Sequence, residues 1–135
     1  MTPEQNIETV AADTLLEKVR TLKTAGHRLV QMCATTLPEH FEVLYCLDRD
    51  LHLTTLRVIL PPEAPKLPSI SGIYSAAVLY ENEMHDLFHI EVEGMAVDFH
   101  GNFYQTAVKY PMGSKKVPAA APPAREVPAS AALVK

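Results

Sequence analysis

Cysteine is scarce: the 135 residues hold only Cys33 and Cys46 and no Cys-x-x-Cys pair, too few thiolates for an ordinary iron–sulfur cluster. Both lie in apolar, strand-like runs, so the expectation for each is a buried, reduced thiol. The five glycines, at 26, 72, 94, 101 and 113, are too dispersed for a phosphate-cradling loop or a dinucleotide fingerprint. Serines are few and none lies in a Gly-x-Ser-x-Gly setting, which removes the usual support for serine hydrolase chemistry. No basic cluster occurs in the first hundred residues and the formal charge is -4, so nucleic acid is not an expected partner. The longest uncharged run near the centre, Leu67 to Tyr80, is too short and too rich in Ser and Pro to cross a bilayer. The N-terminus carries acidic residues where a signal peptide would start positive, and the expected location is the cytosol.

With 47% hydrophobic and 21% charged residues, the sequence suits one compact domain. The expected domain spans residues 1–112. From Gly113 the composition turns to Ala, Pro, Lys and Val, which predicts a flexible tail over 113–135. The stretch Ile70 to Gly94 organises the domain. Ile73, Ala77, Tyr80, Met84 and Leu87 alternate in steps of four and three, the spacing of a helix face turned to a core. Glu81, His85 and His89 form a second stripe, and Leu79, Glu83 and Asp86 a third beside Val78. Apolar residues thus share the outward side with carboxylates, as on a docking surface.

In sequence order, Met1 to Val10 predicts a loose or edge segment. Leu15, Leu16, Val19 and Leu22 predict an amphipathic helix, capped by Asp13 or Thr14 and ended at Gly26. Alternation predicts strands over 28–36, 41–47 and 51–60, with a turn at Asp48-Arg49-Asp50, hence an antiparallel meander. Pro61, Pro62, Pro65 and Pro68 predict an extended passage outside both sheet interior and helix. The central helix is expected from Ser69 or Ser71 to Phe88 or His89. Ile90 and Val92 suggest a short further strand. The fold class is therefore α+β: two layers, an N-terminal helix, a three-stranded meander, the central helix, and further short strands in one mixed sheet.

The loop Val97 to Tyr104, VDFHGNFY, gathers Asp98, Phe99, His100, Phe103 and Tyr104 around Gly101. Such a loop is either pinned to its own domain or docks on another. His85 and His89, at i and i+4, with Glu81 one turn earlier, have a spacing by which a helix can offer ligands to an ion. The glutamate that a zincin places after its first histidine is absent, Asp86 standing there instead. The plainer reading is two polar-face histidines hydrogen-bonded to carboxylates or a partner.

The run Tyr80 to Phe88, followed by Ile90 and Glu93-Gly94, resembles the signature E-R-E-x-x-D-x-F-G-I-x-F-x-G-H of the 30 kDa subunit family of respiratory complex I. Pro68-Ser69-Ile70 and Ala76-Ala77 fit that family's approach to the helix. Asn82 replaces the arginine, His89 the glycine and Met95 the histidine; VDFHGNFY stands where the family has D-L-R-R. The short sequence, the ISGIY entry and the VDFHGN loop resemble most the small subunit of energy-converting, membrane-bound [NiFe] hydrogenases of the Ech or CO-induced type. The resemblance covers Asp13 to Tyr110 and is strongest from Leu67.

The resemblance implies a non-catalytic subunit with no cofactor or metal, in the cytoplasmic arm of a membrane complex, peripheral on the inner face of the cell membrane. Its implied partners are a large subunit holding the nickel–iron site and neighbouring iron–sulfur subunits. Val78 and Leu79 would supply apolar contact. Glu81, Glu83 and Asp86 would accept charge-assisted hydrogen bonds within the domain or across the interface. Phe88, Gly94, Asp98 and His100 complete the interface and motif set. Two alternatives remain open: the 30 kDa-type subunit of an NADH:quinone oxidoreductase, and a small metal-binding protein or metalloenzyme using Glu81, His85 and His89.

Overall fold

The computed structural model describes residues 5–114; of the tail predicted over 113–135, all but Gly113 and Ser114 lies outside them. The elements in order are β1 (Asn6–Thr9), α1 (Leu15–Thr24), β2 (Arg28–Thr36), β3 (Phe41–Arg49), β4 (His52–Leu60), β5 (Lys66–Pro68), α2 (Ala77–Phe88) and β6 (Glu91–Glu93). The predicted α+β class and meander hold: β2, β3 and β4 are consecutive antiparallel neighbours, and β1 adds parallel to β4 at the edge. The further strands differ from expectation. β5 and β6 form a separate two-stranded parallel sheet, and the proline passage itself supplies β5. Pro68 is tolerated there because it ends a short strand whose ladder is closed around it, Glu91 N donating to Pro65 O and Ser69 N to Glu93 O.

Alternation sends Phe41, Val43, Tyr45 and Leu47 of β3 and Leu56, Val58 and Leu60 of β4 to one buried face. Leu15 and Val19 of α1 and Ala77 and Met84 of α2 join the same core. Burial of each large apolar side chain stabilises the fold by roughly 1.5–3 kcal/mol. In β2 the register shifts between Leu29 and Gln31, so that Val30 is a bulge, 40% exposed, and Leu29 and Met32 both reach the core cluster. Cys33 consequently faces outward opposite Leu44 and is exposed, contrary to expectation, whereas Cys46 is buried.

Two boundaries also move, the end of β3 and the start of α2. Strand β3 runs on through Arg49, and the turn is the two-residue Asp50-Leu51, both at positive φ (51° and 65°) with Arg49 paired to His52. That geometry follows the twist of a tight hairpin. Helix α1 ends as expected at Gly26 (φ 92°): Gly26 N donates to Lys23 O and His27 N to Leu22 O, closing a Schellman motif. Its start has no side-chain cap, since the Thr14 hydroxyl donates to Ala11 O instead. Helix α2 begins at Ala77 rather than at Ser69 or Ser71, after turns in which Ile70 O accepts from Ile73 N and Tyr74 N. The two serine hydroxyls expected to cap it are used elsewhere.

Candidate interaction surface

The predicted outward side of α2 is divided by burial. Glu81, Asn82 and Asp86 are 1%, 1% and 6% exposed, whereas Leu79 is 56% exposed; Val78 and Glu83 are half-buried. Glu81 and Asp86 are thus not outward docking groups. A carboxylate this dry must find donors inside its own domain.

Glu81 finds them in the segment ahead of its own helix. Its Oε1 accepts from Ile70 N at 2.7 Å and its Oε2 from the Ser69 hydroxyl at 2.6 Å. The relay continues from Ser69 to the Ser71 hydroxyl at 2.6 Å, which accepts from Ala96 N at 2.9 Å. Burial raises the Glu81 pKa above its ordinary value, and the bonds from Ser69 and Ile70 oppose this. The Tyr45 phenol, in the core, is raised strongly by burial and further by the Glu81 charge.

The next two groups hold the aromatic loop. Asn82 Oδ1 accepts from Phe99 N at 3.0 Å, while Nδ2 donates to Val97 O at 3.0 Å and Val78 O at 2.8 Å. Asp86 Oδ2 accepts from Tyr104 N at 2.8 Å, and Oδ1 lies 3.0 Å from His85 Nδ1. The Tyr104 phenol pKa is raised first by desolvation and then by the neighbouring Glu83 carboxylate. The loop backbone is therefore pinned to its own domain, yet Val97, Phe99 and Tyr104 remain 49%, 41% and 42% exposed. Phe103 packs between Phe99 and Tyr104, with ring centroids at 5.3 and 4.7 Å.

The remaining motif residues have backbone or packing roles. Gly94 ends β6 at φ 78° and His89 ends α2 at φ 60°; the latter is the position at which the family signature carries glycine. His89 stacks on Tyr110 with centroids 3.9 Å apart, and His85 meets the same ring edge-on. Burial and the neighbouring His85 lower the His89 pKa. Phe88 packs on the core edge. Asp98 Oδ1 accepts from His100 N at 2.7 Å, fixing a turn in which both side chains stay exposed. His85, Asp86, Asp98, His100 and Lys109 line a polar hollow of about 390 Å³.

Glu81, His85 and His89 do not converge. Glu81 is committed to Ser69 and Ile70, and His89 leaves the helical face where α2 ends. Among the described residues no group of three or more His, Cys, Asp or Glu is placed to hold a metal ion. Asn82 and Ser71 are site residues whose roles sequence reasoning missed, Ser71 being expected there only as a helix cap. Asn82 had one signal: an amide where the signature has arginine can both donate and accept.

Sheet, helix and inward-turned polar groups define an α+β domain in which one central helix holds the backbone of the segments before and after it, leaving an acidic and aromatic surface outside. The chain belongs to the family described as respiratory-chain NADH dehydrogenase, 30 Kd subunit, which matches residues 8–112. It is 45% identical over 70 residues to the C/D subunit of NADH-quinone oxidoreductase from Gluconacetobacter diazotrophicus, covering 51% of this chain and 11% of that protein. It is 38% identical over 64 residues to NADH-quinone oxidoreductase subunit 5 of Thermus thermophilus, covering 42% of this chain and 31% of that one. The matched stretches thus span less than a third of these relatives. In fold, the chain is similar to one in the membrane-bound sulfane sulfur reductase, an archaeal respiratory membrane complex (TM-score 0.72, 22% identity, covering 84% of this chain and 72% of that). It is also similar to the trypsin-resistant fragment of Nqo5 (TM-score 0.60, 26% identity, 67% and 80% covered).

Proposed function

We propose that the chain is a cofactor-free accessory subunit of a membrane-bound energy-converting [NiFe] hydrogenase related to complex I. It packs against the large subunit that holds the nickel–iron site, beside iron–sulfur subunits, on the cytoplasmic face of the membrane. One observation carries the packing role. Residues 67–108 contain six carboxylates and no Lys or Arg, and with Glu81 and Asp86 turned inward the outer side presents Leu79, Val97, Phe99 and Tyr104 beside Glu83 and Asp98. Exposed apolar groups rimmed by acids suit a partner surface of apolar residues and arginines. Membership of the 30 Kd family supports a place in such a complex. Asn82 in the arginine position and the VDFHGN loop favour the hydrogenase branch. Among the described residues no helix is long and apolar enough to cross a membrane, consistent with attachment through partners.

The second reading, the 30 kDa-type subunit of an NADH:quinone oxidoreductase, is favoured by the names of the curated relatives. One purification separates the two. A tagged full-length protein taken from its native membranes in mild detergent is expected to bring down a large subunit with stoichiometric nickel. Co-purification with NADH-oxidising subunits and no nickel would establish the second reading, and a protein recovered alone would defeat both.

A further inference from the structure

Where α1 ends, β2 begins and the turns ahead of α2 pass beside them, the surface encloses a hollow of about 510 Å³. Lys23, His27, Arg28 and Ser75 supply its polar lining, Leu29 and Ile73 its half-buried apolar wall, and no carboxylate belongs to it. Positive side chains that the sequence spaces along a helix end and a strand start are thus brought to one rim by the turn at Gly26. The rest of the protein has the opposite sign: residues 5–114 carry eight Lys or Arg against fourteen Asp or Glu, a net -6.

Each basic group is held by a contact that keeps donors available. Arg28 Nε donates to Asp48 Oδ2 at 3.0 Å, which uses one guanidinium N–H and leaves the terminal nitrogens for a further carboxylate; the side chain is 71% exposed. Lys23 Nζ lies 4.8 Å from the centroid of the Tyr74 ring, a cation–π contact that positions the ammonium without neutralising it. That ring is itself fixed by its hydroxyl, which donates to His27 O at 2.6 Å. Among the described residues no carboxylate pairs with Lys23. His27 Nδ1 donates to Leu22 O at 3.1 Å, which leaves Nε2 as a second donor once the ring is protonated. The lining is therefore ordered before any ligand arrives, which lowers the entropic cost of binding.

A bilayer matches this site poorly. An anionic membrane repels a protein of net negative charge, and a hollow takes a protruding side chain rather than a flat array of headgroups. Leu29 and Ile73 beside the cations suit a ligand that carries apolar and acidic groups together, as a peptide does. We propose that this hollow binds an acidic segment of a protein partner, with a Glu or Asp carboxylate between Lys23 and Arg28 and a neighbouring apolar side chain against Leu29 and Ile73. The charge it demands is the reverse of that demanded by the outer side of α2, so the two surfaces engage different parts of a partner assembly.

Binding is measured on the isotope-enriched full-length protein by amide shifts. The probes are acetyl-Glu-Glu-Leu-Glu-Glu-amide, its counterpart acetyl-Gln-Gln-Leu-Gln-Gln-amide, inorganic phosphate, and phosphatidylglycerol vesicles. The glutamate peptide is expected to give saturable shifts at Gly26, Arg28, Tyr74 and Ser75, and the glutamine peptide none. Lys23→Gln, which removes one charge, should weaken the glutamate peptide about three- to five-fold. Ser75→Glu, at an exposed position, places a carboxylate in the hollow without altering a cation and should weaken it at least as much. Unchanged β3 and β4 amide positions in both variants would show that the fold is intact. Affinity unaffected by both substitutions, equal binding of the two peptides, or shifts centred on other lysines would overturn the assignment. Tighter binding of phosphate or of the vesicles would do so too, because the ligand would then be a free or lipid phosphate.

Discussion

Glu81 shows how one buried group can be expensive and indispensable at once. Its two acceptor oxygens satisfy Ile70 N and the Ser69 hydroxyl, so Glu81→Ala leaves a buried amide unpaired and a cavity behind. A loss of about 2–4 kcal/mol is expected in chemical denaturation. Glu81→Gln keeps an acceptor for Ile70 and a donor for Ser69, and should cost less than about 1 kcal/mol. The two also differ in pH response. Burial raises the folded-state pKa of Glu81, so the folded protein holds this proton more tightly than the unfolded one. The resulting stabilisation is complete below the ordinary carboxylate pKa and is lost as pH rises through the raised value. Melting followed upward from pH 4 should show this decline in the parent and not in Glu81→Gln. Asn82→Asp, which keeps the acceptor for Phe99 and removes both donated bonds, is expected to cost about 2–3 kcal/mol and to speed hydrogen exchange at Phe99.

Elements are bounded here by single backbone conformations. His89 closes α2 in the left-handed region, which costs an ordinary residue roughly 1–2 kcal/mol relative to glycine, and stacking on Tyr110 offsets part of this. His89→Val, β-branched and unable to stack, should therefore lose about 2 kcal/mol or more, and His89→Gly much less, in the same denaturation assay. The lowered His89 pKa means that its contribution is present above the ordinary histidine value and fades as pH falls through the lower folded one. Helix type and face were legible in the four-and-three spacing of Ala77, Tyr80 and Met84. The start was not, because the choice of Ser69 as a cap or as a donor to Glu81 depends on a carboxylate twelve residues away.

For the molecule as a whole, α2 is divided into a pinned inner side that serves the fold and an exposed outer side that, under the proposed function, serves assembly. Leu79→Glu alters a residue that is 56% exposed, and its effect on stability should stay within about 0.5 kcal/mol. Under the proposed function it should nevertheless reduce recovery of the large subunit in the tagged purification. Unchanged recovery together with an unchanged melt would remove Leu79 from the interface.

The sequence by itself determined the α+β class, the three-stranded meander, the inward rows of β3 and β4 and the family signature, because these rest on local periodicity and turn chemistry between near neighbours. Tertiary structure alone decided that Glu81 and Asp86 face inward, that Val30 bulges and so exposes Cys33, and that the proline passage pairs with β6. Each of these depends on partners distant in sequence: Ile70 and Tyr104 for the carboxylates, β3 for the bulge and β6 for Lys66–Pro68. A carboxylate's spacing on a helix gives its direction. Whether water or a backbone amide waits in that direction is settled only when the rest of the protein has packed around it.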